Sequence, residues 1–407
     1  MYELGIDKLF ERCSEPKETN RQIGPMFRDW LAKKLQYYEC IGFKGVPVSI
    51  VKEMEKNLLI HADNMDGLRY LLEEKGLAGQ IDLVYIDPPF ATGGNFTITE
   101  GRAATISNSK NGTLAYADVL KGECFIQFLK ERLLLIKDLL SDRGSVYLHI
   151  DYKIGHYVKV MMDDVFGIGN FRNDITRIKC NPKNFKRIGY GNIKDSILFY
   201  TKGPNPIWNE PREKYSEKDL DKLFPKTDKF GRRYTTVPIH APGECVNGQS
   251  SKPFKGVLPP QGRHWRVGVE ILEEWDSQGL LEWSLNGNPR KIIYADEREG
   301  KRVQDIWEFK DPQYPVYPTE KNADMLDLIV ATSSEEGSIV MDCFCGSGTT
   351  LASAKKLGRQ WIGIDQSELA IETAIKKIRS TGHNLLQDSN EWELVENLTP
   401  EMRLQAI

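Results

Sequence analysis

An aspartate, two prolines and a phenylalanine close a short apolar run, Ile81-Asp82-Leu83-Val84-Tyr85-Ile86-Asp87-Pro88-Pro89-Phe90. The run reads as a strand buried on both faces. The prolines end it, because they fix φ and cannot donate to a ladder. What is left at the strand end is one carboxylate, carbonyl oxygens that no neighbouring strand masks, and one ring. Together these can receive a planar group that bears an NH2. The carboxylate and a carbonyl accept its two N–H bonds, and the ring stacks on its face.

A second constellation lies late in the chain. Residues 338–343 read as another buried strand, which opens into Phe344-Cys345-Gly346-Ser347-Gly348-Thr349-Thr350 and a helix expected over 351–357. Gly-x-Gly lets a ligand approach the backbone closely, and the helix start offers free N–H groups. No Gly-Lys-Ser/Thr follows, which disfavours an NTP-hydrolysing loop. The next strand, 360–364, ends in Asp365, whose carboxylate suits a ribose diol. Asn57–His61 reads as a strand with Asp63 just past its end, where ligands bind in an open α/β sheet, and His61 is expected in the core. Thr319 is expected to cap the helix that follows it, near residue 323, with the helix start turned toward an anionic ligand.

These groups need a frame. A strand at 57–61, a helix over 67–76 and the Asp87 strand form a βαβ unit, so the sheet is at least partly parallel. A helix over 125–140, stopped by Arg143-Gly144, leads to a strand at 145–150 that ends in Asp151; a helix over 157–166 and a strand over 193–200 follow. Residues 91–118 are long, polar and rich in Gly, Thr, Ser and Asn, and are expected to form a loop that closes over substrate. From 204 to 311 Pro, Trp and Gly rise and no strand–helix alternation is visible. The receptor strand and the glycine-turn strand should be parallel neighbours. Ligands then meet at their carboxyl ends, where the winding reverses.

Composition sets outer limits. The chain has 407 residues, 40% hydrophobic and 28% charged, ordinary for a soluble globular protein. Its first residues lack a secretory signal pattern and no apolar run approaches a membrane span, so no membrane partner is expected and the location reads as cytoplasmic. Seven scattered cysteines contain no Cys-x-x-Cys pair. Cys343 and Cys345 are expected to pack in the core, and no metal site is expected. A net charge of −3 does not announce a polyanion partner, so any nucleic-acid surface must be local. Residues 172–203 hold eight basic side chains against two acidic ones, interleaved with Phe185 and Tyr190. Lys183, Lys186 and Arg187 are the expected phosphate contacts. Arg263 and Arg266 suit either guanine edges or phosphate.

Asp87-Pro88-Pro89-Phe90 fits the Asp/Asn/Ser-Pro-Pro-Tyr/Phe/Trp signature of amino-methyltransferases, and the chain resembles the β-group of DNA N6-adenine and N4-cytosine methyltransferases. The stretch Ala91-Thr92-Gly93-Gly94-Asn95-Phe96 is similar to the continuation in modification subunits of type III restriction systems. The resemblance runs from about residue 57 to 380. It implies an α/β fold: a Rossmann-like seven-stranded methyltransferase sheet, mostly parallel with one antiparallel strand, circularly permuted, with an inserted target-recognition region. The implied domains are a leader (1–55), a catalytic half (56–203), the recognition region (204–311), a cofactor half (312–380) and a tail (381–407).

The resemblance also implies S-adenosylmethionine as cofactor, bound by Asp63, Asp87, Thr319, Lys321, Phe344, Gly346, Ser347, Gly348 and Asp365. In the family a Pro-Thr-x-Lys element contacts the cofactor's methionine carboxylate; here Asn322 stands where proline usually follows the lysine. The implied reaction flips a base from double-stranded DNA and transfers the methyl group directly. Asp87 and the Pro88 carbonyl accept the amine hydrogens, Pro89 shapes the turn and Phe90 stacks on the base. Aspartate in first place leans toward adenine, with cytosine-N4 as the alternative. Related enzymes on RNA or protein amides commonly carry Asn first, and a non-catalytic cofactor- or DNA-binding subunit is the alternative from another class. Methylation at cytosine carbon-5 needs a Pro-Cys nucleophile, and no Cys here follows a Pro. A second copy of the chain and a restriction subunit are the further candidate partners.

Overall fold

Buried strands with acidic ends alternate with helices that bury one face, and the pattern builds an open twisted sheet. The computed structural model describes residues 54–89, 95–99, 102–104, 113–117, 123–182, 186, 188–245, 247–313, 315, 317, 320–381, 391–396 and 398. The chain forms two units, residues 1–174 with 179–207 and 309–407, and residues 175–178 with 208–308.

In the first unit the strands are β1 (Asn57–His61), β2 (Ile81–Ile86), β3 (Leu140–Ile150), β4 (Phe171–Ile178), β5 (Lys194–Thr201), β6 (Ile339–Asp342), β7 (Gln360–Asp365) and β8 (Trp392–Val395). Their order across the sheet is β4-β5-β3-β2-β6-β7-β1-β8. The pairs β3–β2, β2–β6, β6–β7, β7–β1 and β1–β8 are parallel, and β3–β5 is antiparallel. The seven strands β1 to β7 therefore form a mostly parallel sheet with one reversed strand, and β8 extends one edge. The last four residues of β4 belong to the second unit, where Ile306–Trp307 pairs with Thr176 and Arg177.

Helices α1 (Asn64–Glu73), α2 (Glu123–Leu139), α3 (Gly155–Phe166), α4 (Ala323–Ser333), α5 (Thr349–Lys356) and α6 (Glu368–Ser380) cover the sheet. The side chains of Leu68, Leu71 and Leu72 put one face of α1 into the core. That core also contains Leu58, Ile60, Val84, Ile86, Leu133, Ile136, Leu148, Met341, Ile362 and Ile364. Burial of such side chains contributes roughly 1.5–3 kcal/mol each.

Several expectations need correction. Helix α1 begins at Asn64, earlier than expected, because the Asp63 side chain accepts from the Met65 amide and caps it. Arg143-Gly144 is no turn between helix and strand. Ile81 pairs with Leu140 and Leu83 with Ser145, so β3 already begins at Leu140 and bulges there. Residues 91–118 are not a plain loop, since Asn95–Thr99 pairs antiparallel with both Arg102–Ala104 and Thr113–Ala117.

The second unit is built from short pieces that single-segment periodicity does not reveal. Lys226–Thr227, Arg233–Pro238, Pro289–Tyr294 and Leu281–Trp283 form a four-stranded sheet. His240–Pro242 pairs antiparallel with Arg263–Trp265. Its small core gathers Ile239, Phe254, Trp265 and Leu272.

Candidate active site

Every parallel strand in the middle of the sheet delivers a carboxylate to the same edge. Asp87 follows β2, Asp342 ends β6, Asp365 ends β7 and Asp63 follows β1. The connections from β2 run toward β3 and those from β6 toward β7, so the winding reverses between β2 and β6. Val340 lies opposite Leu83 and Met341 opposite Val84, which carries Asp342 level with Tyr85. Asp87 and the glycine turn thus sit at the reversal, where open α/β sheets bind ligands.

Asp87 is mostly buried and its Oδ2 forms an ion pair with Lys321 Nζ. Among the described residues its Oδ1 is buried and has no hydrogen-bond partner. A buried acceptor left open costs about 1–3 kcal/mol, so it marks a place for a donor. Pro88 is buried and Pro89 half-buried behind it. Phe90 and Thr319 lie outside the described residues.

The glycine turn is held from three sides. Gly346 has φ +47° and Gly348 has φ +76°, values that favour glycine. A Cβ on Gly348 would stand 2.8 Å from the Ala374 Cβ, so α6 packs directly on the turn. The Gly346 amide donates to Asp365 Oδ2 and the Ser367 amide to Asp365 Oδ1, at 2.9 Å each. The Tyr317 ring lies 3.5 Å from where a Gly346 Cβ would be. Ser347 and Thr349 share a hydroxyl contact of 3.1 Å, and Lys377 Nζ donates to both. Lys377 also pairs with Glu320.

Tyr317, Glu320 and Lys321 therefore form a strap. Tyr317 and Glu320 attach to the turn and to α6, while Lys321 reaches Asp87. The expected capping residue is corrected: the N-cap of α4 is Asn322, whose side chain accepts from the Met325 amide, and not Thr319. Asn322 thus replaces the family's proline with a side-chain cap.

Burial dominates the charges here. It pushes the Asp342 carboxyl up to about 7, against the donors Thr350 and the Phe344 amide, and the neighbouring Asp87 and Asp365 push the same way. Burial also raises Asp365, although the Ser367 and Gly346 amides oppose the shift. Cys343 and Cys345 are buried, with their thiols pushed up by burial, as core residues rather than nucleophiles. His61 is not in the core: its ring is partly exposed, 3.3 Å from the Gln366 carbonyl and 3.7 Å from Glu396.

At the β1 end the buried Arg132 organises the corner. It donates to Asp63 at 3.3 Å, bonds Asn64 and lies over the Phe128 ring, 3.4 Å from the centroid. Phe128 in turn contacts the Phe344 ring, with centroids 6.3 Å apart. Sequence reasoning missed Arg132, Tyr317 and Lys377. Tyr317 adjoins the recognised Pro-Thr-x-Lys element, which was a signal; Arg132 and Lys377 are single charges on amphipathic helices and gave none.

The basic stretch divides. Arg172 donates to Thr201 and the Gly203 carbonyl, Lys179 to Asp195 and Lys202 to the Leu140 carbonyl, while Arg177 is wholly buried. These four serve the fold. Lys186 and Lys194 are exposed, as are Ile188 and Tyr190. Lys183 and Arg187 lie outside the described residues. In the second unit Arg263 and Arg266 are exposed, and Arg263 approaches His240 Nδ1 at 3.2 Å. Burial lowers the His240 pKa, with Arg263, Arg266 and Arg290 pushing the same way.

The residues present fit a sulfonium cofactor. Carboxylates line the edge where a cation would lie, the glycines leave room for close approach, and each Asp365 oxygen keeps lone-pair capacity for a diol beyond its amide bond.

Comparison with known proteins gives the family. A family model of N6/N4 methyltransferases, described as DNA methylase, matches residues 81–376. A model described as Tsp45I type II restriction enzyme matches residues 1–70. The type II methyltransferase M.EcaI of Enterobacter cloacae is 40% identical over 327 residues, covering 79% of this chain and 69% of its own. The StyLTI Mod subunit of a type III restriction-modification enzyme of Salmonella typhimurium is 25% identical over 438 residues, covering 93% of this chain and 64% of its own. Among solved structures, the M1.HpyAVI–SAM complex is 17% identical with a TM-score of 0.42, covering 79% of this chain and 98% of its own.

Proposed function

The chain belongs to the N6/N4 family of DNA methylases, and from that premise we propose that it methylates the N6 amine of adenine in duplex DNA with S-adenosylmethionine as donor. The observation that carries this reading is Asp87. One of its oxygens is paired with Lys321 and the other is buried and open. It follows β2, the strand paired with the one that leads into the glycine turn.

When bound, the cofactor supplies an electrophilic methyl group on a sulfonium. The chain's own residues do the rest. Asp63, Asp365, Phe344 and the 346–348 turn would hold the cofactor, and Thr319 and Lys321 would contact its methionine carboxylate. The flipped adenine costs a few kcal/mol to extrude, offset by stacking on Phe90 worth roughly 1–3 kcal/mol. Asp87 Oδ1 and the Pro88 carbonyl accept the two amine hydrogens. That would draw the nitrogen lone pair out of conjugation for direct displacement, in which the sulfonium C–S bond would break as the N–C bond forms and the amine would give up one proton. Much of the acceleration then comes from positioning.

Lys183, Lys186, Arg187, Arg263 and Arg266 are the proposed DNA contacts. Exposed Tyr190 and Ile188 beside Lys186 support the first group, and the arginines around His240 support the second. The relatives named for restriction-modification support a modification role, with a restriction subunit as the candidate partner and a second copy as another. Cytosine-N4 methylation is the second reading, because the family spans both amines and the receptor recognises an NH2 more than a ring. Asp87 in first place favours adenine.

Labelled methyl transfer to unmethylated duplex DNA tests the reading. The wild-type chain should incorporate label and Asp87→Ala should not, while keeping part of its cofactor binding. Near-normal turnover by Asp87→Ala would refute the role of Asp87.

A further inference from the structure

Behind Asp87 a chain of buried polar side chains crosses three strands, and base capture gives it no task. Lys179 Nζ donates to Asp195 Oδ1 at 2.6 Å. Asp195 Oδ2 lies 3.3 Å from His149 Nε2, and His149 Nδ1 lies 2.9 Å from the Tyr85 hydroxyl. Tyr85, His149 and Asp195 are all buried.

The electrostatics favour one arrangement of the protons. Burial pushes Asp195 up, but the bonds from His149 and Lys179 outweigh it and hold the carboxyl well below the usual range. An ionised Asp195 only accepts, so His149 Nε2 carries the hydrogen. Burial lowers the His149 pKa, so the ring is neutral and its Nδ1 is a bare acceptor. In that arrangement the Tyr85 hydroxyl donates. All bonds run one way, toward Asp195.

Register ties this chain to the receptor. Tyr85 lies opposite Tyr147 and Ile86 opposite Leu148, so the next step sets Asp87 level with His149. Asp87 follows directly on β2, and continuing the strand's alternation one residue past its end carries Asp87 to the side of Tyr85. Asp87 and Lys321 both lie close enough to His149 to act on its charge. Tyr147 bonds Ser333 at 2.8 Å and stacks on Phe199 at 4.3 Å, which closes the layer from the side.

We propose that the Lys179–Asp195–His149–Tyr85 chain is a positioning device for the reacting carboxylate, fixing the end of the receptor strand so that Asp87 keeps its open oxygen on the incoming amine. The proposal rests on the methyltransferase reading. Stability alone is a poor reason for the chain, since well-packed apolar side chains often serve a buried layer as well as an ion pair does. A buried hydrogen-bonded network instead restricts the arrangements open to its members, and here it borders the group whose aim matters. Lys179 also stands at the root of the segment that carries exposed Lys186 and Tyr190, with its amide bonded to the Ile193 carbonyl.

Steady-state transfer of labelled methyl from S-adenosylmethionine to unmethylated genomic DNA tests this, using the full chain with Tyr85→Phe and Asp195→Asn. Each variant should lower kcat about tenfold or more, the scale expected for a small misplacement of a reacting group. KM for cofactor and for DNA should stay within about twofold, the signature of an interaction that matters only at the transition state. If Asp195→Asn fails to fold, Tyr85→Phe decides, because it removes one hydroxyl and keeps the ring. An active wild type with an unchanged kcat in Tyr85→Phe, or a loss confined to KM, overturns the positioning role alone. A wild type that transfers no methyl overturns the methyltransferase reading and this proposal with it.

Discussion

Lys321 holds one oxygen of Asp87 and leaves the other open, with the lysine side chain only 10% exposed and the aspartate 16%. A single carboxylate is thereby split into a structural half and a binding half. Removing one partner of a largely buried pair typically costs roughly 3–5 kcal/mol and leaves the other uncompensated. Lys321→Ala should therefore cut methyl transfer at least about tenfold, and Lys321→Arg should recover part of it. Rates for both variants, with folding checked by circular dichroism, decide this; a wild-type rate for Lys321→Ala would sever Lys321 from the chemistry.

The glycine turn gives a graded prediction. Gly348→Ala meets Ala374 at 2.8 Å and must also adopt φ +76°. Gly346→Ala meets the Tyr317 ring at 3.5 Å and the Phe344 carbonyl at 4.0 Å, ordinary contact distances, with φ +47°. Left-handed backbone costs an alanine about 1–2 kcal/mol, and overpacking adds about 1–3 kcal/mol. Gly348→Ala should lose more unfolding free energy than Gly346→Ala, and both should weaken cofactor binding in calorimetry. The reverse order of stability would mean that α6 does not constrain the turn.

Asp342 makes stability depend on pH. Burial raises its carboxyl from 3.8 to about 7 in the folded chain. The folded state holds that proton more tightly than the unfolded one. The stabilisation is complete below about pH 4, drains away as pH rises toward about 7, and is flat above. The amount is on the order of a few kcal/mol. Urea unfolding from pH 5 to pH 8 should show wild type losing stability, while Asp342→Asn, which can still bond Thr350, shows a shallower decline. An equal slope in the variant would place the titration elsewhere.

Arg263 is expected to meet DNA from the second unit. Arg263→Ala should weaken DNA binding and leave cofactor affinity alone. If it neutralises a phosphate, the slope of log affinity against log salt should fall by about one; if it reads a guanine edge, sequence preference should relax at a cost of about 1–3 kcal/mol. Unchanged affinity across salt and sequence would remove Arg263 from the interface.

The sequence disclosed the parallel frame because each buried strand is short, apolar and stopped by an acid, a proline pair or a glycine turn. Asp87-Pro88 and the 346–348 turn are local patterns too, and the structure brings them to the ends of neighbouring strands. What the sequence hid is relational. The Lys321–Asp87 pair joins residues far apart in sequence, and nothing local marks Lys321 as the partner. His149 looks like any strand histidine until Asp195 and Tyr85 come beside it. The 172–203 stretch reads as one basic run, yet Arg172, Arg177, Lys179 and Lys202 turn inward, because charge composition carries no direction. His61 was misjudged similarly: it ends an apolar strand, but the end of an edgeward strand faces Glu396 and solvent.

The most direct test of the central claim is the identity of the methylated base. Unmethylated genomic DNA treated with the chain and labelled S-adenosylmethionine is digested to nucleosides and resolved by mass spectrometry. The account predicts N6-methyladenine, lost in Asp87→Ala. N4-methylcytosine would keep the Asp87 receptor and contradict the choice of adenine, and no methylated nucleoside with cofactor bound would contradict the account as a whole.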